Sequence, residues 1–323
     1  MKRGAAALAA ATAFSASSAE AAWAGDDSTV NRSTLSGGDA LKAASNLAFR
    51  LELRAEGGHV QAGLHARLPH FRAAGGDYLY RAVREGKEYR GLANATIHGR
   101  RRRLMVRGQL AGLDLEHHFF LPRNKPWMEE RIVLRNPSGS RVALSDFEAG
   151  FQRRASDSRG DILGELSQDR WVAVPLRQRA DDPNGFANDF SIDEMFSHPG
   201  YEPIMDASQR CNRAPSPHRR SEGWAWTHGD WVLGIFVFNQ ENMLFSVVST
   251  EQQPEGKTLR FGGACMMSGE PAALGRIEAG QSVDLGVVRY ETRKGGFLEA
   301  EYAFRAMLDA KGCRFPPDYN PPV

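Results

Sequence analysis

The stretch WAWTHGDWVLGIFVFNQENMLFSVVST, Trp224 to Thr250, is the most hydrophobic segment of a mostly polar sequence. Val232, Leu233, Ile235, Phe236, Val237 and Phe238 form an apolar run too short to cross a membrane and too rich in β-branched and aromatic residues for a helix. Asn239-Gln240-Glu241-Asn242 supplies turn residues, and Met243 to Val248 reads as a returning strand. Neither strand keeps a polar face. The pair is therefore expected as a hairpin near the centre of a large sheet packed on another layer.

The same grammar runs outward in both directions. Leu47, Phe49, Leu51 and Leu53 alternate with polar residues, the period of a half-exposed strand, and Glu56-Gly57-Gly58 turns the chain toward Val60 to Leu68. DYLYRAVREGKEYRG and TIHGRRRRLMVRGQLAGLDLEHHFFL repeat the pattern, bounded by Gly or charged turn residues. Arg100 to Arg103 suits an anionic partner or a solvated hairpin tip, and four charges without interleaved aromatics favour the tip. Leu115 to Asn136 reads as another hairpin, with Met128, Ile132 and Leu134 on one face. Strands are also expected at Val142–Phe151, Arg170–Leu176, Thr258–Met267 and Val283–Thr292. Residues 178–222 lack a sustained period, and loops of that length are usually functional or partly disordered. Only near the end does the period become helical, with Phe297, Ala300, Phe304, Met307 and Leu308 on one face, Arg305 and Lys311 suited to the C-terminal dipole, and Gly312 as the stop.

The expected organisation is a signal peptide over residues 1–24, a polar leader over 25–44, a β-domain over 45–293, a helix over 294–312 and a Pro-rich linker over 313–323. Lys2 and Arg3, the Ala-rich run after them and the small residues at Ala19 to Ala24 have the layout of a secretory signal, so a secreted or periplasmic protein is expected. No other apolar run approaches the roughly 20 residues of a spanning helix. With 323 residues, 41% hydrophobic and 25% charged, the chain can bury a large core. A net charge of +2 without a concentrated basic segment argues against a nucleic-acid partner. Cys211, Cys265 and Cys313 have no CxxC spacing, so no metal site or cofactor is expected. Cys211 and Cys313 are open to pairing after export.

Three phrases, LEHHFFLPRNKPWMEERIVLRN, EGWAWTHGDWVLGIFVFNQE and GGFLEAEYAFRAMLDAKGCRFPPDYNPPV, together resemble the N-terminal region of secreted bacterial α-galactosidase-like (melibiase-type) glycoside hydrolases. The resemblance implies an all-β fold, a large two-layer β-supersandwich of galactose-mutarotase type, followed by a helix and a Pro-rich linker. In that family a (β/α)8 catalytic barrel comes next, carrying two catalytic Asp residues. Retaining chemistry of that kind needs two carboxyl groups about 5–5.5 Å apart. No residue of this sequence matches either motif, so no catalytic residue is assigned, and the expected role is noncatalytic support and partial cover of a barrel's sugar site, with the barrel in cis or in trans. A sandwich face left without its barrel would favour self-association.

The residues singled out for sugar contact are Trp224, Trp226, His228 and Asp230, because pyranose C–H faces stack on indoles and flanking polar groups orient them. Asp206, Arg210 and Asn212 in the long loop are candidates for reaching a neighbouring barrel's galactoside-type ligand. Core or interdomain packing is the competing and plainer reading of the tryptophans, and a solvated loop that of the others. A stand-alone carbohydrate-binding module remains an alternative, as does an aldose 1-epimerase-like enzyme. The latter would use His117 or His118 with Glu129 or Glu130 as an acid and base across a sugar. His117 and His118 are adjacent on a strand and so point to opposite faces.

Overall fold

The computed structural model describes residues 41–67, 69–175, 189–197, 218–239, 246–266 and 276–313. Among them the chain is an all-β sandwich with one substantial helix. The larger layer is a nine-stranded antiparallel sheet. Its spatial order is Asp189–Ser191, Arg170–Val174, Gly223–His228, Trp231–Phe238, Ser282–Lys294, Trp127–Arg135, Leu113–Phe120, Arg103–Leu110 and Ala93–Arg100. The facing layer joins a six-stranded sheet (His218–Ser221, Ser246–Gln253, Gly256–Met266, Asp146–Arg154, Leu79–Arg84, Lys87–Arg90) to a four-stranded one (Lys42–Ser45, Phe49–Glu56, His59–Ala66, Phe71–Asp77). A single residue, Tyr78, separates Phe71–Asp77 from Leu79–Arg84, so one run of chain passes from the smaller sheet into the larger. The first strand starts within the expected polar leader.

Alternation explains most of these strands. Leu113, Leu115, His117 and Phe119 are buried between the layers, while Asp114, Glu116, His118 and Phe120 lie on the outer face. The Trp231–Phe238 run is different, because it is buried on both sides. Leu233, Ile235 and Val237 join the inter-layer core. Val232 and Phe236 face outward into a second core with Val172, Val174 and Ala225, closed by Ala300, Ala303, Phe304 and Met307 of the helix Phe297–Ala310. Phe236 and Phe304 meet with ring centroids 5.4 Å apart. Burying a Phe or Met contributes about 1.5–3 kcal/mol each, enough to hold a 14-residue helix that water alone would not. Gly312, at φ +85°, ends the helix, and the Cys313 N–H bonds to the Leu308 carbonyl at 2.9 Å.

The expected hairpin between Val232–Phe238 and Met243–Val248 is not formed. Trp231–Phe238 pairs with Gly223–His228 on one side and Ser282–Lys294 on the other. Ser246–Gln253 belongs to the opposite sheet, between His218–Ser221 and Gly256–Met266. The turn that wins is Gly229-Asp230, with Gly229 at φ +58°, a two-residue connection suited to the twist of a hairpin. The long segment also contains order: Asp189–Ser191 extends the large sheet, and a short helix, Ile192–Ser197, follows it.

Candidate functional site

Two polar clusters stand out, one sealed and one at a rim. The sealed cluster lies between the layers and is centred on Glu130, 1% exposed, and His117, 0% exposed. Glu130 comes from the nine-stranded sheet. Its Oε2 accepts the Tyr78 hydroxyl at 3.1 Å and lies 3.1 Å from His117 Nε2. Its Oε1 accepts the Tyr290 hydroxyl and the backbone N–H of Gly263, which belongs to the opposite layer. Tyr80 Oη is 2.8 Å from His117 Nδ1. Burial and the nearby Glu130 charge push the Tyr78, Tyr80 and Tyr290 hydroxyls well above their usual range, so all three keep their protons. Burial lowers His117, against the pull of Glu130. One tautomer then satisfies every group: Tyr80 donates to Nδ1, and Nε2–H donates to Glu130, which collects four donors as an ionised carboxylate.

Glycine makes this approach feasible. Gly262 and Gly263 sit at φ +73° and +65° beside a register shift between Ala149 and Phe151. A Cβ on Gly262 would lie 1.7 Å from Tyr290 Oη, and one on Gly263 would lie 2.1 Å from the Ala149 carbonyl oxygen and 2.7 Å from Tyr78 Oη. The double glycine is a bulge that brings a backbone N–H and two phenols to one carboxylate.

This geometry disfavours the epimerase-like arrangement. His117 and Glu130 bond directly to each other and are closed to solvent, so no ring fits between them. His118 lies on the other face, 3.3 Å from Glu116, and Glu129 on that same outer face holds Arg289 at 2.7 and 3.0 Å.

The rim cluster is built on His228, the last residue of Gly223–His228. Its Nδ1 lies 2.9 and 3.1 Å from the two carboxylate oxygens of Asp169, which also accepts Trp226 Nε1–H at 2.8 Å. Phe71, from the facing layer, stacks on the imidazole at a centroid distance of 4.1 Å. Asp169 is buried, which raises its carboxyl above the usual range; the bonds from Trp226 and His228 and the charge of Arg153 oppose that rise. Arg153 is held by Glu165 and keeps its buried Nε unpartnered. The result is an imidazole whose Nδ1–H is fixed by a buried carboxylate. Its side chain is 28% exposed, and its Nε2 forms no hydrogen bond among the described residues.

Trp224 and Trp226 correct the expected stacking platform. Both are 0% exposed. Trp224 donates to the Ser246 carbonyl at 3.0 Å, and Trp226 stacks on Trp171 at 4.7 Å. They point to one face as expected, but that face is the core. Trp226 acts indirectly by holding Asp169. Asp230 is exposed at the hairpin turn, 3.5 Å from Lys294 Nζ. Asp206, Arg210, Asn212 and Cys211 lie outside the described residues. Asp169 and Phe71 were missed because a lone Asp in a loop and a strand-initial Phe carry no local signal of their meeting.

No family model matches the sequence, and no curated protein matches it. Solved structures do show similarity of architecture. A galactose mutarotase-like protein from Lactobacillus casei aligns with TM-score 0.44 and 14% identity over 79% of this chain and 100% of that one. The GH36 α-galactosidase AgaB from Geobacillus stearothermophilus aligns with TM-score 0.43 and 9% identity over 82% of this chain and 42% of its own. A putative aldose 1-epimerase from Escherichia coli aligns with TM-score 0.38 and 10% identity over 80% and 100%. The chain thus spans less than half of the α-galactosidase.

Proposed function

We infer that this chain is a noncatalytic, carbohydrate-contacting sandwich domain that works beside a catalytic barrel, as the front domain does in the α-galactosidase-like glycoside hydrolases its sequence resembles. The observation that carries the reading is the Asp169–His228 pair, a buried carboxylate that fixes a half-exposed imidazole at the end of the sandwich. Such a group offers a sugar hydroxyl a rigidly held ring nitrogen. The barrel is the natural occupant of the outward side of the helix Phe297–Ala310, where Leu298 and Tyr302, one turn apart, are 56% and 63% exposed. Apolar side chains paired in this way suit a covered surface. Export through the Ala-rich leader belongs to the same reading.

Calorimetry with neutral galactosides tests the sugar contact. Binding that falls at least about tenfold in His228→Ala, with an unchanged melting temperature, supports it; equal binding by the variant overturns it. The noncatalytic part predicts no hydrolysis of an aryl α-galactoside by the isolated chain, and turnover that disappears on changing one of its own residues refutes it. The mass of the native polypeptide decides between a barrel in cis and one in trans.

A further inference from the structure

An open groove of about 590 Å³ lies at the junction of three segments far apart in sequence, and Arg67, Arg102 and Arg123 converge on it. Arg67 follows the strand His59–Ala66, Arg102 sits at the hairpin tip between Ala93–Arg100 and Arg103–Leu110, and Arg123 lies in the connection before Trp127–Arg135. Asn46, Asn124 and Leu47 complete the wall. The groove is a built feature. The Asn46 side chain accepts the N–H groups of Ala48 and Phe49 at 2.9 and 2.7 Å and donates to the Trp127 carbonyl at 2.7 Å, which ties the loop at 45–47 to the large sheet. Arg67 is anchored through the Asn46 carbonyl at 2.9 Å. Leu47 is left 57% exposed beside the guanidinium groups.

No Asp or Glu lines the groove, and none of the three arginines forms an ion pair among the described residues. Several arginines elsewhere are neutralised, Arg81 by Asp146 and Glu88, Arg131 by Asp284 and Arg170 by Asp189, whereas here three without an acidic partner among the described residues line one groove. Three uncompensated guanidinium groups repel one another, and their planar forks match a carboxylate or sulfate in a two-pronged fashion. The volume falls within the ~300–1,000 Å³ of small-ligand sites.

Strand register places this groove on the same end of the sandwich as His228. Trp231 pairs with Lys294, Trp127 with Glu291, and Phe120 with Arg103, so the Gly229-Asp230 turn, the Arg123 connection and the Arg102 tip all leave the nine-stranded sheet at one end. Counted from Gly223–His228 across the sheet, the Arg123 connection is three to four strand spacings away and the Arg102 tip five to six, at about 4.8 Å each, which puts roughly 15–30 Å between His228 and these two arginines.

We propose that this end of the sandwich binds an acidic oligosaccharide, whose carboxylate or sulfate group sits among Arg67, Arg102 and Arg123 with a sugar ring against Leu47, and whose chain runs along the strand ends toward His228. The saccharide part rests on the carbohydrate reading above; the anion part stands on the groove alone. The probes are oligogalacturonate, a neutral galactan oligosaccharide of equal length, inorganic sulfate and a single-stranded oligonucleotide. Each is titrated by calorimetry against wild type, His228→Ala and the surface double variant Arg102→Ser/Arg123→Ser. Oligogalacturonate is expected to bind at least about tenfold more tightly than the neutral oligosaccharide. That advantage should vanish in the double variant, and it should shrink as salt shortens the screening length from about 10 Å at 0.1 M to about 3 Å at 1 M. Equal binding of acidic and neutral chains, or no effect of the arginine changes, overturns the groove assignment. Sulfate or the oligonucleotide binding as tightly as oligogalacturonate overturns the choice of an acidic saccharide. If neutral galactosides fail to bind while the arginine-dependent acidic binding persists, the His228 reading falls and the groove stands.

Discussion

Replacing Glu130 by Gln removes a charge while keeping shape, and its cost follows from the four donors. The Gly263 N–H cannot turn away, so the amide oxygen must stay where Oε1 accepts Gly263 and Tyr290, and the amide nitrogen takes the place of Oε2. There it meets Tyr78 Oη and His117 Nε2. Both can invert: Tyr78 accepts, His117 changes tautomer, and Nδ1–H then donates to Tyr80. The hydroxyl protons of Tyr78 and Tyr80 are left without an acceptor in the network. Two orphaned buried donors at about 1–3 kcal/mol each make Glu130→Gln destabilising by about 2–6 kcal/mol. That is a large share of the ~5–15 kcal/mol typical of a folded domain. Tyr290→Phe deletes one donor but leaves Gly263 on the carboxylate, so about 1.5–3 kcal/mol is expected. Urea unfolding followed by far-UV circular dichroism reads both as shifts in midpoint at constant slope. A Glu130→Gln protein within about 0.5 kcal/mol of wild type would refute the reasoning, because Gln mimics a protonated glutamic acid and indifference to it means that no ionised carboxylate is held there.

Gly263→Ala should cost more than about 3 kcal/mol, since its Cβ meets a backbone carbonyl, whereas Gly280→Ala, also at positive φ but with open space around it, should cost only the left-handed penalty of about 1–2 kcal/mol; equal costs in the same urea assay would remove the steric argument. Stability should decline on acidification through His117. Its folded value is lowered, so its contribution is fully present above the unfolded value of 6.5 and is lost as pH falls from there through the lowered folded value. His65 and His118 act in the same direction. Asp169, raised from 3.8, acts oppositely, losing stability as pH rises from 3.8 through its folded value. A urea midpoint that does not move between pH 7 and 5 would contradict the neutral buried histidine. Leu298→Ser/Tyr302→Ser should change stability by less than about 0.5 kcal/mol yet abolish cross-linking to the catalytic barrel proposed as its partner, and unaltered cross-linking would overturn the assignment of this helix face.

The sequence shows the strands more clearly than their partners. Leu113 to Phe120 is legible because one solvated face imposes a period of two. Trp231 to Phe238 is legible as a buried strand, but a run without a polar face does not say which neighbour covers it. Two turn signals competed, Gly229-Asp230 and Asn239 to Asn242, and the tighter glycine turn formed the hairpin. The helix that covers Val232 and Phe236 is readable from its own period, yet nothing local ties it to them. Glu129 and Glu130 are adjacent in the sequence, and nothing local says which of them faces the core, where a charged side chain is rare. One of the two points inward, to partners 13, 52, 133 and 160 residues away. No sequence window contains that constellation. His228 was legible as a polar group among tryptophans, but its meaning depends on Asp169, 59 residues earlier.

The buried network bears on where function can reside. Hydrophobic side chains of similar volume would hold two layers together about as well as a buried carboxylate does, so stability alone does not account for Glu130. What the carboxylate adds is position. It accepts from Gly263 in one layer while sitting on the other, and a one-residue slip of either strand would leave an unpaired charge in the core. The layers are thereby held in a single register. The helix covers the outward side of Val172, Val174, Ala225, Val232 and Phe236, so neither face of the sheet is open to a ligand at those positions. The strand ends remain, and there the fixed register sets the spacing between His228 and the three arginines. Loosening the network should therefore weaken recognition of a ligand that spans both sites more than recognition of a single sugar. Tyr290→Phe, which leaves every rim residue untouched, is the variant that separates these effects.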